Sequence, residues 1–398
     1  MPEVGTIGRN LARLRRERSM SQEGLAAKAG LSKDLIAKLE QGRRSSCRVT
    51  SLMKLATALD AELTDLTGRR ERLGADRDGG SVLALRDAIL SPSLLPGLNS
   101  GAGLDADDDG TPTPLIELDA AITAAHDRYW SGEFGPLLSV VAGLIIEARL
   151  TYRNTGVSAA GPLAQSYQLA ASLMLQLGKA DLAAIAAERG IAVAAEGDDE
   201  LQWATINGTY AWVLLRQARL EEGEALAVRV AEQIEPDFKA RPEHLVVWGN
   251  VLLNALAPRV VAGKDPADYL SLVSAVAGRL GQKVQAYQTA FGPTSVAMQT
   301  AYTYAVLRDP GKTLKAARNV NPGDLTRISY GRHLLDVAQA HVDARQPRAA
   351  EVQLAEARKA SPVWFRHQGL ARSLVGEVRE ELTRPSPTIR SLAHEVGI

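Results

Sequence analysis

Apolar residues recur at helical spacing over most of this chain, and they fall into two blocks. In the first, Ile7, Leu11 and Leu14 share one face of a helix, Leu25, Ala26 and Ala29 suit a second, and Ile36 and Leu39 anchor a third. The punctuation between them is sharp. Ser21 and Ser32 stand where helix N-caps are needed, Gly30 stands where the second helix must pass into left-handed backbone, and Gly42 stops the third. This predicts a short helix, a tight glycine turn and a second short helix, the unit that lays its second helix in the major groove of DNA.

The second block spans residues 115–398. Ala, Leu and Val dominate it at helical spacing, and no alternating β-branched stretch stands out. Turn signals divide the helices into pairs: Gly132-Glu133, Gly178-Lys179-Ala180-Asp181, Ala218-Arg219-Leu220-Glu221, Gly263-Lys264-Asp265-Pro266, Asp309-Pro310-Gly311-Lys312 and Gln346-Pro347-Arg348. They lie roughly 37 to 46 residues apart, the period of stacked helical hairpins. The second and third units align at an offset of 40, with Leu175 on Leu215, Ala187 on Ala227 and Arg189 on Arg229. A lone hairpin leaves one face bare, so such units stack into an α-solenoid. The fold class expected is therefore all-α, a small helical head at residues 1–68 and a helical-repeat body at 115–398.

Residues 69–114 read as a connector. Val82 to Leu90 suits one short amphipathic helix, and the remainder is rich in Gly, Pro, Ser and Asp, a composition expected to be flexible. The acidic run at Asp105, Asp107, Asp108 and Asp109 lacks the spacing and closing Glu of a calcium loop.

Charge sharpens the division. The chain holds 46 Lys and Arg and 46 Asp and Glu. Residues 1–75 carry 15 basic against 9 acidic side chains, which leaves 31 against 37 for the rest. A basic head on an acidic body suits phosphate binding at one end only.

Other chemistry is sparse. The sequence contains neither a phosphate-cradling glycine loop nor zinc spacing, and no cofactor or metal is expected. The histidines are scattered: His333 and His341 are eight apart with no third ligand near in sequence. Convergent titratable groups of an enzyme are not legible, so catalysis is not expected. The single cysteine, Cys47, lies between Arg44 and Arg48, where a thiolate would be stabilised; a redox switch and a passive, partly buried thiol are both open. No apolar run approaching twenty residues is expected and no membrane partner, which places the protein in a reducing cytoplasm.

The first block resembles the Xre/Cro-like helix-turn-helix family. The resemblance rests on Gln22-Glu23, Leu25-Ala26, Gly30-Leu31-Ser32, Ile36 and Leu39-Glu40-Gln41-Gly42, with Leu52 to Leu59 and Glu62 to Leu66 as fourth and fifth helices. It implies double-stranded DNA as partner and a homodimer on a palindromic operator. It also implies that Gln22 meets a phosphate, that Lys33, Asp34 and Lys38 face the groove behind the Ser32 cap, and that Arg43, Arg44 and Arg48 clamp the DNA backbone. Lysine can donate to guanine and aspartate can accept from cytosine, while Leu35 suits either a thymine methyl or internal packing.

The second block resembles tetratricopeptide-like repeats, with Tyr167, Ala170, Ala171, Leu175 and Leu177-Gly178-Lys179 the most repeat-like stretch. Ala290 to Ala297 is similar to part of actinobacterial regulators that join an Xre-like head to a repeat body. In domain order the chain resembles the Rgg/PlcR type, whose concave face binds signalling peptides. On that likeness the inner helices should carry an effector site for a peptide or small molecule. Its candidates are Gln168, Trp203, Asn207, Asn250, Asn254 and Gln299, with Gln165, Tyr210, Trp248, Tyr302, His333 and Asp336 on the same helices. A DNA-tethered scaffold that recruits a partner protein, with no small effector, is the alternative.

Overall fold

The structure, a computed structural model, describes residues 6–44, 47, 49–61, 65–66, 82–91 and 111–398. The head contributes α1 (Thr6–Glu17), α2 (Gln22–Ala29), α3 (Lys33–Glu40) and α4 (Val49–Ala58). Ser21 accepts a hydrogen bond from the Gly24 amide and Ser32 one from the Leu35 amide, so both predicted caps form. Gly30 takes φ 61°, and the Leu31 amide closes back on the Ala26 carbonyl at 3.0 Å. Ile7, Leu11, Leu14, Leu25, Ala26, Ala29, Ile36 and Leu39 are all buried, in one core with Leu52, Leu55 and Leu59.

The helix expected in the connector, α5 (Val82–Ile89), is not a free element. Leu85 and Ile89 are buried in the core of the body, and Arg149 donates to the Ala88 carbonyl at 2.6 Å and to the Tyr167 hydroxyl at 3.2 Å. The flexibility expected of the rest falls on residues 69–81 and 92–110, which lie outside the described residues.

The body is a series of antiparallel helix pairs: α6 (Leu115–Ser131) with α7 (Phe134–Thr155), α8 (Ala160–Gln176) with α9 (Ala180–Glu196), α10 (Glu200–Arg216) with α11 (Leu220–Gln233), and α12 (Pro242–Val261) with α13 (Ala267–Leu280). After a β-hairpin come α14 (Pro293–Val306) with α15 (Pro310–Ala317) and α16 (Arg327–Asp343) with α17 (Pro347–Ala360); α18 (Pro362–Arg366), α19 (Gly369–Glu381) and α20 (Pro387–Glu395) follow. All six predicted turns share one geometry. Gly132, Gly178, Ala218, Gly263, Arg308 and Arg345 have positive φ, and the amide after each bonds the carbonyl five residues back at 2.8–3.1 Å. That is the Schellman closure, which satisfies carbonyls left open at a helix end. Three of the six positions are not glycine, so the turn is set by the repeat and not by residue type alone.

Two stretches, Phe134–Gln176 and Pro242–Val261, are long and apolar enough to cross a membrane, contrary to the sequence reading. In both, 61% of the most apolar window is buried, so packing between hairpins uses that apolarity.

The stack closes on itself. Trp364, 1% exposed, donates from its indole to Gln176 Oε1 at 3.1 Å across 188 residues, and its ring fills the space left by Gly331. Residues of α6 to α9 and of α16 to α20 therefore share one hydrophobic core. The hairpin, β1 (Val284–Ala286) and β2 (Thr289–Phe291), pairs antiparallel with Val284 opposite Phe291. Its two turn residues, Tyr287 and Gln288, have φ 48° and 58°, the geometry of a type I′ turn built without glycine. Phe291 is fully buried where α12 has Gly249, and a Cβ there would come within 2.6 Å of the ring.

Candidate nucleic-acid interface and an enclosed cavity

Helix α3 is held from within. Arg15 on α1 grips Glu40 at the end of α3 through two hydrogen bonds of 2.7 and 2.8 Å, and Gln22 on α2 donates to the same carboxylate at 2.8 Å. Burial pushes the Glu40 carboxyl up, but the hydrogen bonds from Arg15 and Gln22 and the guanidinium charge outweigh it and hold it below the ordinary range. One carboxylate thus ties three helices together. Gln22, expected at a phosphate, directs its amide hydrogens inward to Glu40.

Outward from this tie, Lys33, Asp34 and Lys38 are exposed on α3. Lys33 pairs with Glu23, and Lys38 pairs with Asp34 at 2.7 Å. Such exposed pairs contribute little and yield readily to a phosphate or base edge. Leu35 is half-buried and packs against the head core, which favours the packing alternative. Arg43 is exposed. Arg44 instead faces the body, 3.8 Å from Glu377 on α19, and Arg48 lies outside the described residues.

A helix-turn-helix domain family matches residues 6–67. An uncharacterized HTH-type transcriptional regulator, y4dJ, of Sinorhizobium fredii is 42% identical over 60 residues, which cover 15% of this chain and 77% of that protein. The chain belongs to the helix-turn-helix transcriptional regulators.

In this regulator the head docks on the body beside Arg44. Ser373 on α19 donates to the Cys47 carbonyl at 2.9 Å, and Leu52 of α4 reaches the wall of a cavity in the body. The thiolate reading of Cys47 is overturned. The side chain is 1% exposed, and burial pushes its thiol up to about 12, with Arg44 pulling the other way too weakly to matter.

The cavity holds about 380 Å³ on the concave side of the stack and is partly open to solvent. Closure of the stack and the inserted hairpin, whose Lys283, Gln285, Gln288 and Thr289 form one wall, turn the open groove expected from a solenoid into a pocket. Asn250, Asn254 and Gln299 line it; Gln168 lines a smaller adjoining space of about 200 Å³. Asn250 donates to the Val246 and Ala290 carbonyls at 2.9 and 3.3 Å, so its amide hydrogens fix the hairpin to α12. Asn254 stands against Gly208, whose missing side chain leaves room for its amide.

Trp203 and Asn207 are absent from both walls. Asn207 is buried and donates to the Trp203 carbonyl at 2.9 Å, while the same helix presents Trp212 and Arg216 to the cavity. The sequence reading missed those two, together with Arg332, Met298 and Leu52. It also expected no convergent titratable groups, yet Asp336, Tyr302 and Arg332 meet here. Burial pushes the Asp336 carboxyl up to about 7, against the pull of Arg332.

Proposed function

We propose that this regulator binds a short operator as a cytoplasmic homodimer through α3, and that its tetratricopeptide-like body senses a small effector. The observation that carries the effector reading is the cavity whose wall includes Leu52 of the head. A ligand there touches the joint that positions the recognition helix, so it can favour one head arrangement over another. A cavity of about 380 Å³ suits a small molecule or the end of a peptide better than an extended chain or a recruited protein. Asp336 and its neighbours are read as recognition groups for that ligand.

The DNA reading is tested by binding duplex DNA over a range of salt. Affinity should fall steeply with ionic strength, because phosphate contacts release counterions. Arg43→Ala should weaken all sequences alike, whereas Lys33→Ala or Lys38→Ala should cost about 1–3 kcal/mol at the preferred site. A chain whose binding is insensitive to salt would count against a DNA-facing head.

The dimer reading follows from symmetry: one head covers half a site, and a palindromic operator calls for a two-fold protein. Light scattering should give twice the chain mass at tens of micromolar, for the full chain and for residues 115–398. A monomer in both would leave the operator reading without its symmetry.

A further inference from the structure

Five charged side chains line the cavity, Arg216, Lys283, Asp324, Arg332 and Asp336, and the last two, on one helix, are not paired with one another. Asp336 and Arg332 lie four residues apart on α16, about 6 Å along the axis, a spacing at which opposite charges can form an ion pair. Here no salt bridge joins them. Arg332 instead lays its guanidinium over the Trp212 ring, 5.0 Å from the centroid. Asp336 is only 5% exposed and lines the cavity, and no hydrogen bond reaches its carboxylate from the described residues. A buried carboxylate without a hydrogen-bond donor is costly, and a native site that keeps one usually meets its donor in a ligand.

We infer that the cavity binds a zwitterion of the α-amino-acid type, its ammonium on Asp336, its carboxylate on Arg332, and its apolar side chain against Trp130, Leu253 and Met298. This rests on the effector reading above and names its ligand class. The geometry supports each part. The two charged groups of an α-amino acid are close enough to engage partners one helical turn apart. The guanidinium, over the Trp212 ring, keeps N–H groups for a carboxylate. The remaining wall is mostly apolar, and about 380 Å³ is near the lower end of ligand pockets, a size for one bulky amino acid or a comparably small molecule.

Protonation adds a direction. The groups facing Asp336 are Arg332 on its own helix and Tyr302 on α14, and Arg216 on α10 faces the same Tyr302. The neighbouring His333 is pushed down to about 4 by burial and carries no charge at neutral pH. Asp336 offers a charge to an ammonium only when ionised, so affinity for the zwitterion rises as pH climbs through about 7 and is lost below it.

The test is calorimetry on the full chain with L-phenylalanine, L-tryptophan and L-leucine, and with two analogues that lack one charge, phenethylamine and 3-phenylpropanoate. At least one amino acid should bind, and L-phenylalanine should bind about tenfold or more tighter than either analogue, the effect of one charge-assisted contact. Asp336→Asn should weaken the amino acids and phenethylamine and spare 3-phenylpropanoate; Arg332→Gln should weaken the amino acids and 3-phenylpropanoate and spare phenethylamine. A merely structural role would weaken all probes alike in both variants, and that result overturns the assignment. So does a chain that binds none of the three amino acids at about millimolar concentration, or one that binds the one-charge analogues equally well. Operator binding measured alongside separates the two readings. If an amino acid binds and DNA affinity stays fixed, sensing fails and the site stands; if a ligand of another charge class fills the cavity and shifts DNA affinity, sensing stands and this assignment falls.

Discussion

Glu40→Ala should unfold the helix-turn-helix core and abolish DNA binding. The change removes three hydrogen bonds at once and leaves the Arg15 guanidinium, whose side chain is only 12% exposed, with the Met20 carbonyl at 2.7 Å but without its carboxylate. Breaking a buried pair on one side costs about 3–5 kcal/mol, because the remaining charge stays desolvated. A head of this size has little stability beyond that to lose. Hydrogen exchange on the full chain should show protection lost across α1 to α3 and kept in the body. Glu40→Gln retains an acceptor and should lose less. The sign with pH follows from the lowered carboxyl: the contribution is whole above the ordinary carboxylate value and fades as pH falls through the depressed one. If Glu40→Ala leaves exchange in the head unchanged, the tie does not hold the recognition helix.

Phe291→Ala should detach the hairpin from α12. The ring is fully buried against Gly249, and emptying such a site costs about 3–5 kcal/mol. Its other anchors are smaller: three residues in each strand with Val284, Ala286 and Tyr287 half-buried, a turn of two non-glycine residues in left-handed backbone, a Tyr287 hydrogen bond with Asp199, and the Asn250 bond at 3.3 Å. Losing the anchor releases that strain and opens one wall of the cavity. Gly249→Ala drives a Cβ into the same ring and should destabilise by about 1–3 kcal/mol. Thermal unfolding with exchange at β1 and β2 checks both. A variant whose hairpin stays protected would show that the Phe291 contact is incidental.

The head was legible because its signals are local. Caps, a glycine turn and apolar residues three or four apart lie within a few residues of the structure they specify, and each forms as read. The turns of the body were legible for the same reason, down to the offset of 40 between Gly178 and Ala218. What stayed hidden depends on distance or on choosing between two packed faces. The contact of Trp364 with Gln176 spans 188 residues and leaves no trace in spacing. The hairpin is too short to alternate, and Tyr287-Gln288 does not advertise a type I′ turn. On α10 the run Trp203, Asn207, Tyr210 looked like an inner face. That helix is buried on nearly every side, so periodicity could not tell its inward face from its neighbour-facing one. Glu40 and Arg15 carried a signal that went unused: opposite charges on otherwise apolar-faced helices often mark an internal tie. Arg44 shows the converse, a basic residue of the head that the body claims.

In the proposed function α3 reads DNA sequence through Lys33 and Lys38. The most direct measurement is selection from a pool of random duplexes by the full chain, repeated with a Lys33→Ala, Lys38→Ala variant that keeps the Glu40 tie. A palindromic motif should be enriched by the wild type and relaxed or lost with the variant. Enrichment of the same motif by both, or of none by the wild type, would contradict it.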